Sequence, residues 1–314
     1  MTTACLFLCA PPESFNPVKD TTRVLMEEAA RRDLEVWTAR HEDLEVDGGR
    51  VFARARKLRV IQDGDTWFRA GNSEILPLHD LHSIWFRHDP PFDSTYLEAT
   101  RMVDLVDGPL KINDPAGLRD ANEKLFALRF AEWMPETLVS SNPMAIEAFI
   151  DRVGGRGVLK PLDGFGGTGI FVADLTDPNF GTVLQTATAH GTRWTMAQAW
   201  IERVHEGDMR VLLMDGRIIG QFLRVPGERE FRGNMMQGGR VEACEVSERG
   251  HAIVDAVAPV LAAHGLRLVG LDIVGDLLTE INVTSPTGFQ EVRKLMGHRP
   301  ETIVWDTILQ EAPA

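Results

Sequence analysis

The sequence predicts an α/β domain followed by an α+β domain rich in antiparallel sheet. Three observations carry this reading. Strand-like and helix-like patterns alternate through the first third of the chain, which implies a largely parallel sheet. The stretch Gly108-Pro109-Leu110-Lys111-Ile112-Asn113-Asp114-Pro115 then ends that alternation with turn formers. Beyond residue 157 short strands cluster, and two pairs of them read as hairpins.

In order, residues 5–9 form a first strand. Residues 18–32 carry helical spacing through Val24, Leu25 and Ala29, and residues 34–39 form a second strand. Residues 50–60 read as a strand or hairpin arm and residues 83–87 as a strand. Residues 94–107 read as a helix with Leu97, Met102 and Leu105 facing inward. Asp120 is placed to cap the next helix, with Glu123 three residues on as its capping-box partner and Leu125, Phe126, Leu128, Phe130 and Trp133 as its apolar face. A helix over 144–153 follows, then strands over 157–160, 169–173, 194–198, 209–214 and 217–225. Asp215-Gly216 between apolar runs is a two-residue hairpin signal. A helix over 247–264 is expected to break late at Pro259. Strands over 268–275 and 277–283 make the second hairpin, and a helix over 301–310 closes the chain.

Composition limits the functions available. The 314 residues are 44% hydrophobic and 25% charged, ordinary for a soluble globular protein. Lys and Arg total 33 against 46 Asp and Glu, a net charge of −13. Such a chain has no general attraction to phosphate backbones or anionic lipids, so neither nucleic acid nor membrane is expected as a partner. The apolar run at 4–10 lacks a preceding basic region and reads as a buried strand rather than a leader. Cys5, Cys9 and Cys244 show no CxxC spacing and read as reduced core thiols of a cytoplasmic protein.

Four segments carry candidate chemistry. Asp163-Gly164-Phe165-Gly166-Gly167-Thr168-Gly169 formally contains GxGxxG, but a strand pattern follows it and no acid lies near position 189. The dinucleotide reading therefore fails, and no Gly-Lys-Ser/Thr makes it a Walker loop. A glycine-rich loop between two strands instead folds bare N–H groups over phosphates. Lys160 before the loop and Lys124 further upstream add positive charge for the same phosphates. In the second segment, strand period two puts Glu280 and Asn282 on one face, and a turn centred on Asp276 sets Asp272 opposite Glu280. These hard oxygen donors suit Mg²⁺ shared with substrate phosphates. The third segment gathers Arg224, Arg229, Arg232 and Arg240 among flexible glycines, suited to acyl-phosphate capture and to a lid over 226–240. The fourth, Arg87-His88-Asp89-Pro90-Pro91-Phe92-Asp93, sits at a strand end, where open α/β sheets bind ligands.

Taken together and in order, these phrases resemble the bacterial glutathione synthetase family of the ATP-grasp superfamily. The resemblance rests on 87–93, Leu118-Arg119-Asp120-Ala121-Asn122-Glu123-Lys124, Leu159-Lys160-Pro161-Leu162-Asp163-Gly164, Phe231-Arg232-Gly233-Asn234, Gly270-Leu271-Asp272-Ile273 and 278–287. It departs at the cysteines of the first strand and at Met235-Met236-Gln237. The resemblance implies an N-terminal pre-ATP-grasp α/β domain over 1–119, then an ATP-grasp fold over 120–314. Its two subdomains would cover about 120–200 (the ATP lid) and about 201–314 (metal and substrate). It further implies that Lys124, Lys160 and the loop Gly164, Phe165, Gly166, Gly167, Thr168 and Gly169 hold ATP. Gln198, Ala199, Trp200 and Ile201 would read adenine, and Asp208 would meet the ribose. Asp272, Glu280 and Asn282 would hold two Mg²⁺ ions, with Mn²⁺ as a possible substitute. Arg210 and Arg232 would face the transferring phosphoryl group. Arg87, Asn234, Ser285 and Thr287 would hold a dipeptide. The implied reaction ligates γ-glutamylcysteine to glycine at the expense of ATP, in a homo-oligomer. Other ATP-grasp ligases and a non-catalytic ATP-binding regulator are the rival readings.

Overall fold

The computed structural model describes residues 3–63, 66–164, 166–227 and 239–311. Its first sheet is built from β1 (Ala4–Leu8), β2 (Glu35–Ala39), β3 (Leu44–Asp47), β4 (Arg50–Asp63), β5 (Thr66–Pro77), β6 (Ser83–Phe86) and β7 (Leu110–Ile112). The centre, β2-β1-β6-β7, is parallel, and β3, β4 and β5 extend one edge antiparallel. Helices α1 (Thr21–Arg31), α2 (Ser94–Asp104) and α3 (Pro115–Asp120) belong to the same half of the chain. All five residues of β1 are buried. Cys5 and Phe7 enter one core with Leu25, while Leu6 and Leu8 enter another with Tyr96. A strand covered on both faces must be apolar throughout, which is why it reads as a continuous run. Burial raises the pKa of both Cys5 and Cys9, so neither is a poised thiolate.

Several boundaries differ from expectation. Helix α1 starts at Thr21 because Asp20 caps it, accepting from Arg23 N at 2.9 Å. Helix α2 buries Tyr96, Ala99, Thr100 and Val103, whereas Leu105 is 59% exposed. The inward stripe follows the spacing i, i+3, i+4, i+7 from Tyr96 and passes between the leucines. Strand β7 lies inside the run of turn formers at 108–115. Asp120 ends α3 instead of capping a helix. Asn122 instead closes a turn, its Oδ1 accepting from Lys124 N and Leu125 N at 3.1 and 3.0 Å, ahead of a 3₁₀ stretch over Phe126–Trp133 that has no side-chain cap. Glu123 turns the other way, toward residues 283 and 284.

The second sheet holds β8 (Thr137–Ser140), β9 (Arg156–Pro161), β10 (Phe171–Asp174) and β11 (Thr195–Ala199), ordered β10-β9-β11-β8 and antiparallel. Helices α4 (Pro143–Arg152) and α5 (Phe180–Ala187) cover it. Among the described residues their core draws only on 138–197.

The third sheet, also antiparallel, runs β14-β13-β12-β15-β16. Its strands are β12 (Asp208–Met214), β13 (Arg217–Val225), β14 (Arg240–Glu242), β15 (Leu268–Val274) and β16 (Leu277–Asn282). The β12–β13 turn places Asp215 and Gly216 at φ 48° and 73°, as a type I′ hairpin requires. One face packs on α6 (Glu248–Ala263), which runs through Pro259 because Ile253, Val257 and Leu261 stay buried on either side of it. Helices α7 (Phe289–Met296) and α8 (Pro300–Leu309) carry the chain back to the first sheet. There Trp305 lies 4.7 Å from the ring of Trp85 and donates to Leu25 O at 2.9 Å. Two of the three cores mix residues from both ends of the chain.

Buried Asn113 joins the first and third sheets. Its Nδ2 donates to Leu268 O and Val283 O, at 2.9 and 2.7 Å. Its Oδ1 accepts from Arg267 N and Leu268 N, at 2.7 and 2.8 Å. Nearby, a Cβ on Gly117 would lie 2.0 Å from His264 O, so α3 packs that closely only with glycine there.

Candidate active site

Strands of the second and third sheets and loops of the N-terminal half line one cleft of about 600 Å³. Its floor is the end of the third sheet. Cross-strand register aligns Arg210 with Asp272, Asp272 with Glu280, and Gly270 with Asn282, so these side chains share a face. Asp272 does oppose Glu280 as expected, but through a bulge between Asp272 and Ile273, since next to the turn Val274 pairs with Leu277 and Ile273 with Leu278. Arg210 grips Asp272 with a fork, Nε to Oδ1 at 2.6 Å and Nη2 to Oδ2 at 3.1 Å. Arg224 adds a bond to Asp272 Oδ2 at 3.0 Å and pairs with Asp208. Burial alone would raise both acids. It does raise Asp208, whereas Arg210 and Arg224 hold Asp272 below the ordinary carboxylate range.

Lys124 connects the floor to the glycine loop. Its Nζ donates to Glu280 Oε1 at 2.9 Å and to Gly164 O at 2.6 Å. Lys160, near the end of β9, also lines the cleft, and burial lowers its pKa even though Glu280 opposes the shift. Gly164, Gly166, Gly167 and Thr168 line the opposite wall. Gly166, Gly167 and Gly169 take φ of 61°, 77° and 73°, a left-handed backbone that side chains resist. Gly169 itself lies outside the lining. Gln198, Ala199, Trp200 and Ile201 line the cleft at the end of β11. Arg156 covers the Trp200 ring at 3.9 Å, and the N–H groups of Ala199 and Trp200 donate to Glu136 O and Arg156 O.

Ser285 and Thr287 line the far end, with Asn16, Lys19, Asp20 and Asp89 of the N-terminal half. Arg87 does not reach the lining. It is buried behind it, where Nε donates to Thr22 Oγ1 at 3.1 Å and Nη2 to Pro286 O at 3.0 Å, so it buttresses the segment that carries Ser285 and Thr287. Phe165, Arg232, Asn234 and most of the 226–240 segment lie outside the described residues. Sequence reasoning missed Glu123 as a cleft residue by reading it as a capping partner, and it grouped Arg224 with the capture arginines without its pairing to Asp208 and Asp272.

The donor set fits a hard divalent cation. Asp272 and Glu280 face each other, and Asn282 donates its Nδ2 to Gly270 O at 3.2 Å, which leaves its oxygen as an acceptor. Among the described residues no three His, Cys, Asp or Glu side chains form a complete cage, so a bound ion would draw further oxygens from substrate. No helix among the described residues is long and apolar enough to cross a membrane.

The fold matches ATP-grasp ligases of known structure. D-cycloserine synthetase DcsG aligns with a TM-score of 0.67 at 14% identity, covering 97% of this chain and 99% of that one. The macrocyclase MdnC of Microcystis aeruginosa MRC aligns with a TM-score of 0.64 at 14% identity, covering 98% and 100%. These likenesses define the class by fold. Family models are more specific. The N-terminal domain of prokaryotic glutathione synthetase matches residues 3–119, and the ATP-grasp domain of prokaryotic glutathione synthetase matches residues 123–297. Proteins named glutathione synthetase from Synechococcus elongatus and Yersinia pestis are 43% and 45% identical over 303 and 285 residues. They cover 93% and 90% of this chain, and the matches span 93% and 89% of their own lengths. The chain belongs to the prokaryotic glutathione synthetase family, and it is an ATP-dependent ligase using a divalent metal ion.

Proposed function

We propose that this ligase joins the cysteinyl carboxylate of γ-glutamylcysteine to the amine of glycine, forming glutathione, ADP and phosphate. The observation that carries the reading is the single cleft in which the Lys124–Glu280 and Arg210–Asp272 pairs meet the glycine loop and the 285–287 segment. On this reading Lys124, Lys160 and the loop over 164–169 hold the phosphates. Ile201 offers the adenine a backbone N–H, since those of Ala199 and Trp200 are engaged within the second sheet and its neighbours. Asp208 lies near the ribose.

The dipeptide carboxylate, held from Ser285, Thr287 and Asn234, attacks the γ-phosphorus. ADP leaves and an acyl phosphate remains. The glycine amine then attacks the acyl carbon, and the C–O bond to phosphate breaks. Arg210 is oriented in advance by Asp272, so little reorganisation is needed when charge develops on the transferring group. Arg232 serves the same charge. Asp272, Glu280 and Asn282 would hold two Mg²⁺, or Mn²⁺ in their place, which when bound neutralise phosphate charge. The structure supports a division into an N-terminal domain over 1–119 and an ATP-grasp domain over 120–314. We further infer a cytoplasmic homo-oligomer whose partners are these small molecules.

The test is direct. Purified protein with Mg²⁺, ATP, γ-glutamylcysteine and glycine is expected to yield glutathione by mass spectrometry, with one ADP per peptide bond. Ligation of a different pair, with no glutathione formed, would overturn the assignment.

A further inference from the structure

Glu123 stands where the two halves of the proposed reaction meet. Its Oε1 accepts three hydrogen bonds, from Val283 N at 2.9 Å, Thr284 N at 3.1 Å and Thr284 Oγ1 at 2.9 Å. Its main-chain oxygen accepts from Ile281 N at 3.1 Å. The residue is thus pinned to the turn between Asn282 and Ser285, one position before Lys124. It also lines the cleft, and all three of its side-chain hydrogen bonds fall on Oε1. Each of the other carboxylates of the floor is paired with a cation. Asp272 is held by Arg210 and Arg224, Asp208 by Arg224, and Glu280 by Lys124. Among the described residues Glu123 is therefore the acid of the floor that no cation pairs, and its Oε2 is left to face the cleft.

We propose that Glu123 Oε2 receives the ammonium group of the acceptor amino acid, takes one of its protons, and leaves the amine lone pair aimed at the acyl carbon. The proposal rests on the ligase reading above. An amino acid arrives as a zwitterion at neutral pH, and moving its ammonium into a partly desolvated cleft requires a counter-charge. Lys124 and the 283–287 segment flank Glu123, and on the proposed reading these hold the phosphoryl end and the dipeptide end. An amine bound between them lies beside the bond to be made, which is how positioning lowers a barrier.

The test uses the full-length enzyme and the variant Glu123→Gln. The amide oxygen of glutamine still accepts the three bonds from residues 283 and 284, which turns its NH₂ group toward the cleft. Acyl phosphate is assayed with two nucleophiles, glycine and hydroxylamine, the latter uncharged at neutral pH. The expected result is a rise of tenfold or more in the glycine KM, with the KM values for ATP and dipeptide within about twofold of wild type. Hydroxamate formation is expected at the wild-type rate, which also shows that the variant is folded and completes the first half-reaction. Equal loss with both nucleophiles would assign Glu123 to holding the loop and overturn the proposal. So would a shift confined to the Mg²⁺ requirement, or no change at all. If wild-type enzyme forms hydroxamate but no glutathione, the acceptor named above is wrong, and the same comparison is made with the amine it does accept.

Discussion

Glu280 bonds Lys124 on one side and faces Asp272 on the other, so its charge serves both a phosphate-binding lysine and a metal position. Glu280→Gln keeps the shape and the hydrogen-bond acceptor while removing that charge. Turnover is expected to fall at least a hundredfold at saturating ATP, with the melting temperature within a few degrees of wild type. Wild-type turnover at limiting Mg²⁺ would remove Glu280 from the metal set. At this scale the sequence was legible where a turn dictated the register. Asp215-Gly216 announces itself, and a pairing centred on Asp276 gives Asp272 opposite Glu280, a register that the strands reach through a bulge between Asp272 and Ile273. The position of Arg224 was not legible. Next to the first turn, Met214 pairs with Arg217 and Leu213 with Ile218. Continued unchanged, that register would set Asp208 opposite Leu223 and turn Arg224 to the other face. A bulge between Leu212 and Leu213 shifts the pairing by one residue, and Asp208 meets Arg224. No local pattern marks that bulge. Arg87 erred in the opposite sense, because a strand-end arginine reads the same whether it faces ligand or supports a neighbouring loop.

Strand β7 shows what element-level patterns hide. Three residues between Pro109 and Asn113 read as a turn, yet they pair with β6, and Asn113 then ties the first sheet to the third. Asn113→Ala would strand buried main-chain groups at residues 267, 268 and 283. We expect a loss of about 3 kcal/mol in urea denaturation, since each unsatisfied buried group costs about 1–3 kcal/mol and neighbouring losses are not additive. A change below about 0.5 kcal/mol would show that water replaces the side chain there. Periodicity located α1, α4, α6 and α8. It missed α5 and α7, both eight residues long, and β5, whose residues are mostly exposed and so carry no alternation. Of the α2 stripe it chose, Met102 packs partly buried against the core, whereas Leu105 is exposed. Leucine is the commoner core residue, but the tertiary contact there is made by Tyr96, which meets the His41 ring edge-on at 4.5 Å.

For the whole molecule, the order of the segments was enough to indicate the fold class, because long phrases in sequence constrain topology more than any one motif does. The manner in which the cores divide was hidden, since it depends on packing between residues as distant as Trp85 and Trp305. The ends of the chain share two cores, while the sheet carrying the glycine loop keeps a third to itself. That partition has a calorimetric consequence. A unit with a private core melts on its own account, so heating the free protein is expected to give a smaller endotherm separate from the main one. It would involve roughly 60 residues and, at about 0.7 kcal/mol per residue, an enthalpy of about 40 kcal/mol. ATP bound between the second and third sheets would then join the two events, moving the smaller peak upward until one transition remains. A single endotherm without nucleotide would mean that the two bodies already melt as one.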